Sequence, residues 1–405
     1  MTDVVDPAAS AIVASTDPAD DDDDDGTRRF LYVCLDATDD DIEQEILGAE
    51  CTVRFLGATS VADLTSSPEA LELLANADVV AVWHTLWLDA AVLALFPQAK
   101  AVIRMGVGYD NVDVDAAAAL GIAVCNVPDY GTEEVADSAL ALILGLYRGT
   151  LASSMAVAQG ARIQGADGIA AAAGGTVRRV RGSRLGLVGL GRIGTAVAVR
   201  AKAFGFQVHY YDPAIPDGMD KALDVLRCDS IEQLFDHSDC ISLHANNAPE
   251  NERMVSAELL ARVPEGCVLV NTARGELVDE EALAAALLDE AHPLAAAALD
   301  VHWNEPYLRG GASPLADSPN LFCTPHMAWY SPESRAEMRV KGATNALAAC
   351  RGEELRNVVN AEGYFAWAAA QQQEEEEEEE EEGGEEAAGA LGADEADEES
   401  EPLTN

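Results

Sequence analysis

Arg184-Leu-Gly-Leu-Val188-Gly189-Leu-Gly191-Arg192-Ile193-Gly194-Thr195-Ala-Val-Ala-Val-Arg200 is the stretch that decides the fold. An apolar strand runs into a Gly-x-Gly-x-x-Gly turn, and an alanine- and valine-rich helix runs out of it. Alone the glycine pattern is a weak signal; the strand before it and the helix after it are what its chemistry requires. Gly189 allows the tight turn, Gly191 lets backbone N–H groups approach a pyrophosphate at the helix N-terminus, and Gly194 lets helix and strand pack closely. The next apolar run ends in Asp212, eighteen residues after Gly194. A carboxylate there can accept hydrogen bonds from an adenosine ribose and repels a 2′-phosphate, which favours NAD over NADP.

Working outward, further strand signals fall at 206–211, 240–243, 267–271, 295–300 and 321–323, with helical segments between. Upstream, a second set falls at 30–35, 51–56, 78–83, 101–104 and 122–125, with a helix around 89–95. Strands alternating with helices predict parallel sheets covered on both faces. The expected class is α/β with two doubly wound domains. A Rossmann NAD-binding domain would occupy 130–330, and a flavodoxin-like substrate domain would combine 28–129 with 331–362. Gly131-Thr-Glu-Glu134 opens a helical stretch to about Ala158, with Thr132 as N-cap and acids in its first turn. Its apolar residues are too dense for a one-sided surface helix, which predicts burial between domains or in a dimer interface. The segment 161–175 reads as helix or loop, and a helix from Ser331-Pro332 to about Cys350 returns the chain to the first domain.

The chain has 405 residues, 49% of them hydrophobic, enough for two cores. Its net charge of −47 divides unevenly. Residues 1–27 hold nine acids and no base, and residues 368–405 hold seventeen acids and no base. Such blocks repel themselves and bury too little apolar surface to fold, so both tails are expected to be disordered. The remaining body still carries −21, and only four of the 25 basic residues are lysine (Lys100, Lys202, Lys221, Lys341). An acidic, lysine-poor body suggests halophilic adaptation: at ~1 M salt the Debye length falls to ~3 Å and self-repulsion is screened. The same charge argues against direct nucleic-acid or anionic-membrane binding. None of the eight cysteines forms a C-x-x-C pair, and most lie in apolar runs, as core residues of a reducing compartment do. No metal site is expected. The acidic N-terminus lacks a secretion signal and no run approaches ~18 apolar residues, so a soluble cytoplasmic chain is expected.

Three downstream segments carry chemistry: Asn271-Thr272-Ala273-Arg274-Gly275, Leu299-Asp300-Val301-His302-Trp303-Asn304-Glu305, and Thr324-Pro325-His326. Arg274 and His326 follow apolar strands, and ligands bind beyond the carboxyl ends of strands in open α/β sheets. A guanidinium can clamp a carboxylate through two bonds, though a single arginine more often sits idle on a loop. Most single histidines are likewise not catalytic. His326 stands out because Glu305 can orient its ring and favour its protonated form. His209, His237, His244, His292 and His302 lack such a context, and His84 follows a strand without a partner motif.

These motifs, in this order, resemble the D-isomer-specific 2-hydroxyacid dehydrogenases over roughly 30–362, and within them the C-terminal-binding protein group. Lys202-Ala-Phe-Gly-Phe206, Ala298–His302, Cys323–Ser331 and Leu355–Asn360 carry the closer likeness. The resemblance implies a dimer that binds NAD and turns over a small 2-oxo or 2-hydroxy acid in a cleft between domains. It implies Arg274 as substrate clamp, His326 as acid/base and Glu305 as its partner. It places Arg104 and Gly106-Val107-Gly108 on the substrate carboxylate. It sets the loop Gly189–Gly194 with Arg192 and Ile193, Asp212, Thr272, Ala273, Asp300 and the 245–251 region against the cofactor. Trp329 becomes an aromatic wall beside the substrate or, equally, packing between domains. Val107 departs from the hydroxyl residue of that group, and Arg54 replaces a small residue in its peptide groove. Two other readings stay open: an NAD(H)-sensing scaffold or transcriptional corepressor, and a phosphoglycerate dehydrogenase-type biosynthetic enzyme.

Overall fold

The computed structural model describes residues 29–38, 41–174, 177–305, 313–316 and 318–370. Both expected acidic tails lie outside them, save for residues 368–370. The chain divides into two compact units, Met1–Pro128 with Arg339–Asn405, and Asp129–Met338.

The first unit holds β1 (Phe30–Cys34), β2 (Cys51–Phe55), β3 (Val79–Val82), β4 (Ala101–Arg104) and β5 (Ala123–Asn126), all parallel, in the order β2-β1-β3-β4-β5. This is the flavodoxin-like order. Strands β3 and β5 are buried along their whole length, as an apolar run covered on both faces should be. The outer edge of β5 is closed by a late segment of chain. Val359 N donates to Val124 O at 2.8 Å, Val124 N donates to Asn360 Oδ1 at 2.8 Å, and Asn360 Nδ2 donates to Ile122 O at 2.9 Å.

The same unit contains a buried ion pair between distant segments. Arg339 and Glu43 are each 1% exposed; the guanidinium Nε lies 3.0 Å from both Glu43 oxygens, and Nη2 bonds Oε2 as well. Nη1 reaches out to Asp41 at 2.8 Å.

The second unit holds β6 (Arg184–Val188), β7 (Gln207–Tyr211), β8 (Leu226–Arg227), β9 (Cys240–Leu243), β10 (Cys267–Asn271), β11 (Leu294–Leu299) and β12 (Leu321–Cys323). They form one parallel sheet, β12-β11-β10-β9-β6-β7-β8. Counted from β6 this is the Rossmann order with one strand added at the far end. Successive residues face opposite cores: Ile241 and Leu269 join one, Cys240, Val268 and Val270 the other. Strand β8, which the sequence reading did not register, has two exposed residues at the sheet edge.

The helical stretch expected over 131–158 is two helices, Thr132–Tyr147 and Thr150–Ala158, bent by 73°. Gly149, in the left-handed region at φ +60°, makes the break. Gly131 rather than Thr132 occupies the N-cap, and the Thr132 hydroxyl donates to Asp129 O at 3.0 Å. The dense apolar face of the first helix packs into its own unit through Ala136, Ala139, Leu140, Ile143 and Tyr147. The second helix buries no residue. Among the described residues no single helix is long and apolar enough to cross a membrane.

Candidate active site

The glycine turn leaves β6 and opens the helix Arg192–Phe204. Gly189 has φ +94°, and a side chain there would stand 2.7 Å from the His244 carbonyl oxygen. A side chain on Gly194 would run into the Gly189 carbonyl oxygen. Gly191 differs: among the described residues nothing lies within 4 Å of where its Cβ would be. The protein's own backbone thus excludes side chains at Gly189 and Gly194, whereas the space over Gly191 is open to something else. An extended anion on the helix N-terminus fits that space. Ile193 packs into the core beneath the helix, while Arg192 is exposed.

Two variants separate these roles. Gly194→Ala is expected to lower the melting temperature because the collision is with backbone. Gly191→Ala is expected to leave it unchanged and to weaken NADH binding at least tenfold, about 1.4 kcal/mol. Thermal melts and fluorescence titration check both.

Asp212 does more than present a charge at the end of β7. Its Oδ2 accepts Leu190 N at 2.8 Å and its Oδ1 accepts Ala214 N at 2.9 Å, so it also fixes the glycine turn. Further along the edge, Asn271 pairs with Leu243, so Thr272 and His244 leave neighbouring strand ends. Thr272 Oγ1 and His244 Nδ1 are both buried without a hydrogen-bond partner among the described residues. Buried polar atoms left in this way mark a place where a ligand completes the bonding. These atoms, the open Gly191 and the Asp212 carboxylate fit a dinucleotide. His244 Nε2 lies 3.0 Å from Ser242 Oγ, and burial pushes its imidazole down to about 4, so it is neutral at neutral pH. The sequence reading passed over His244; its position directly after Cys240–Leu243 was the available signal.

The segments that carry Arg274, Glu305 and His326 lie at the ends of three adjacent strands, with Asn271 opposite Leu299 and Leu299 opposite Cys323. Asn271 shapes the turn after β10: its Oδ1 accepts Ala273 N at 3.0 Å and its Nδ2 donates to Arg274 O at 2.7 Å. The half-buried Arg274 donates from Nη1 to Ala273 O at 2.7 Å. A side chain on Gly275 would collide with the His302 backbone, so this turn packs directly on the segment that carries Glu305. Glu305 Oε1 accepts His302 N at 3.1 Å, and Oε2 lies 2.7 Å from His326 Nδ1. Both side chains of this pair remain about one-third exposed, at 31% and 32%. Burial acts to raise the Glu305 carboxyl, but bonds from His326 and the His302 amide outweigh it and hold the group below its ordinary value.

Asp300 is the organiser of this corner. It is 1% exposed, and its carboxylate accepts Thr324 Oγ1 at 2.5 Å, Met327 N at 3.0 Å and Ala328 N at 2.9 Å. Its carbonyl accepts His326 N at 2.8 Å. These bonds hold His326 in the left-handed region at φ +51°. The sequence reading set Asp300 against the cofactor and missed this role. It also missed Glu280, which is buried and accepts Trp303 N at 3.0 Å, and Arg253, which stacks 4.0 Å over the Trp303 ring. Trp329 packs edge-on against Tyr130 at 5.9 Å and Tyr330 at 5.6 Å, all within the second unit.

In the first unit, Arg104 ends β4 and donates from Nη1 to Met105 O at 2.7 Å and from Nε to Asn111 Oδ1 at 3.3 Å. The guanidinium lies over Gly106, where any side chain would collide with it. Val107 is exposed and its carbonyl accepts Asn126 Nδ2 at 2.6 Å; Gly108 is half-buried in the same loop.

Residues 140–328 match the family described as D-isomer specific 2-hydroxyacid dehydrogenase, NAD binding domain. The chain is 38% identical over 338 residues to C-terminal-binding protein 1 of Caenorhabditis elegans, covering 82% of this chain and 45% of that protein. It is 36% identical over 319 residues to D-3-phosphoglycerate dehydrogenase of Mycobacterium leprae (strain TN), covering 78% and 58%. The chain therefore spans about half the length of these curated relatives. Among solved structures it is similar to the TT0316 protein from Thermus thermophilus, with 31% identity and a TM-score of 0.69, covering 81% of this chain and 99% of that one. By its nucleotide-binding segment, its strand order and this likeness along the whole of a solved relative, the chain belongs to the D-isomer-specific 2-hydroxyacid dehydrogenase family.

Proposed function

We propose that this protein is an NAD-dependent D-2-hydroxyacid dehydrogenase that interconverts a small 2-oxo acid and its 2-hydroxy acid. The observation that carries the proposal is the His326–Glu305 pair, 2.7 Å apart beside the Arg274 turn and on the sheet that carries the glycine turn. Bound NADH would supply the hydride delivered to C2. Nδ1 of His326 is engaged with Glu305, which orients the ring, and the imidazole is proposed to give the carbonyl oxygen its proton and to take it back in the reverse direction. Arg274 orients the substrate carboxylate with a charge-assisted bond, about 1.5–3 kcal/mol. Trp329 is proposed to border the substrate. Glycine-turn amides, Asp212, Thr272 and Ala273 hold the cofactor, and Asp212 disfavours a 2′-phosphate.

The test is a panel of 2-oxo acids with NADH and with NADPH, run in molar KCl to suit the acidic, lysine-poor body. At least one acid should be reduced, and faster with NADH. No turnover anywhere, with NADH still bound tightly, would favour the second reading: an NAD(H)-sensing scaffold, suggested by the likeness to C-terminal-binding protein 1. A strict demand for a phosphorylated substrate would favour the phosphoglycerate-type reading suggested by the mycobacterial relative.

We further propose a cytoplasmic homodimer. The helices Thr150–Ala158 and Gly165–Ala172 bury no residue within the chain, yet they expose Met155, Val157 at 60% and Ile169 at 57%. Apolar surface of this kind calls for a partner. Val157→Glu with Ile169→Glu is expected to halve the mass measured by light scattering in molar KCl, with circular dichroism unchanged.

A further inference from the structure

Cys51 opens β2, the edge strand of the first sheet, and Cys350 lies in the last turn of the helix Pro332–Arg351. They are 299 residues apart in sequence, yet their Sγ atoms stand 3.8 Å from each other, both buried. The chain around them is drawn together by their neighbours. Arg351 forms an ion pair with Glu50, both 41% exposed, so the residues next to the two thiols in sequence also join the two segments. Lys100 Nζ lies 3.4 Å from Cys350 O, and Arg29 Nη2 donates to Cys51 O at 2.9 Å. Asp78 and Glu50 are the nearby carboxylates, and the hydrogen bond with Cys350 is the largest effect holding the Cys51 thiol below its ordinary value.

We propose that Cys51 and Cys350 are a paired modification site, which a peroxide converts to an intramolecular disulfide within the folded first unit. A rotation of the side chains has to bring the sulfurs from 3.8 Å to a bond of ~2.05 Å. Both residues sit at ends of elements, where local opening is easiest. The Cys51 thiolate attacks one peroxide oxygen; an S–O bond forms, the O–O bond breaks, and the departing hydroxide takes a proton to become water. The Cys350 sulfur then attacks the Cys51 sulfenic sulfur. The S–S bond forms, the S–O bond breaks, and the leaving hydroxide takes the Cys350 thiol proton as a second water. Two thiols lose two electrons and one peroxide gains them. This proposal rests on the fold alone and is independent of the enzymatic reading.

The buried Cys240 and Cys267 provide an internal control. They lie on the neighbouring strands β9 and β10, and their Sγ atoms face the Ile241 carbonyl at 4.0 Å and the Val268 carbonyl at 3.7 Å. Cys323 is exposed and reports that the reagent is active. The folded full chain, in molar KCl, is treated with hydrogen peroxide and then blocked with an alkylating agent, digested and mapped without reduction. The expected product is a Cys51–Cys350 linked peptide, abolished by thiol reductant, with a melting temperature raised by several degrees. A closed loop of this length constrains the unfolded chain strongly. Cys51→Ser and Cys350→Ser should each remove both the linked peptide and the shift. Oxidation of Cys323 with no Cys51–Cys350 peptide overturns the proposal. So does a Cys240–Cys267 peptide that forms as fast, which would mean indiscriminate core oxidation.

Discussion

His326→Gln is expected to lower kcat by about 10²–10⁴-fold, the usual contribution of a positioned acid/base, while NADH binding persists. Glutamine keeps a similar shape and can still hydrogen-bond Glu305, but it cannot deliver a proton. The nucleotide site is built from other residues: Gly191 and Asp212 belong to the turn after β6 and to the end of β7, and neither contacts His326 in any hydrogen bond described. Affinity and turnover should therefore separate. Steady-state rates with the best 2-oxo acid, beside a fluorescence titration of NADH, read the two quantities. A variant that retains activity within a few-fold of the parent removes His326 from the role of acid/base. Asp300 is a poor choice for the same test, because its carboxylate holds Thr324, Met327 and Ala328 and its loss would disturb the whole turn.

Glu43→Ala is expected to destabilise the fold by about 3–5 kcal/mol, because it leaves the Arg339 guanidinium buried without the buried carboxylate that pairs with it. Asp41 still reaches Nη1, but its side chain is 74% exposed and cannot replace bonds made in the interior. Replacing both members, Arg339→Met with Glu43→Leu, should recover most of the loss, since apolar residues of similar volume remove the uncompensated charge. The measurement is urea unfolding in dilute and in molar KCl. A buried pair is little screened, so the loss should be similar in both, whereas an exposed pair such as Arg227–Asp217 should contribute little in either. A loss under ~1 kcal/mol for Glu43→Ala would show that this pair is a bystander.

Much of the fold was legible because its strands are short, apolar and buried on both faces. Val79–Val82, Cys240–Leu243 and Cys267–Asn271 announce themselves by composition alone. The glycine turn was legible because each glycine has a separate physical reason. Other features were hidden because their causes are long-range or too brief. Strand β8 is two exposed residues with no apolar run. The break at Gly149 was masked by apolar residues that continue on both sides of it. The engagement of Asp300 with residues 24 to 28 positions later, and of Asp212 with Leu190, depends on strand order, which a linear reading does not contain. The pairing of Glu305 with His326 was suggested by the chemistry of the two residue types in their motifs, and the resemblance implied the same roles.

The closure of β5 by residues 357–360 bears on how the protein is made. A ribosome emits the five strands of the first sheet early, then a whole second unit, and only afterwards the piece that seals the fifth strand. At ~5–20 residues per second the delay is about 10–50 s. During that interval the nascent sheet presents an unfinished flank and Glu43 awaits Arg339, while the later-born unit, contiguous along the chain, can complete itself first. Biogenesis therefore runs against sequence order: the portion translated first is the last to mature, and a chaperone is most needed at that flank.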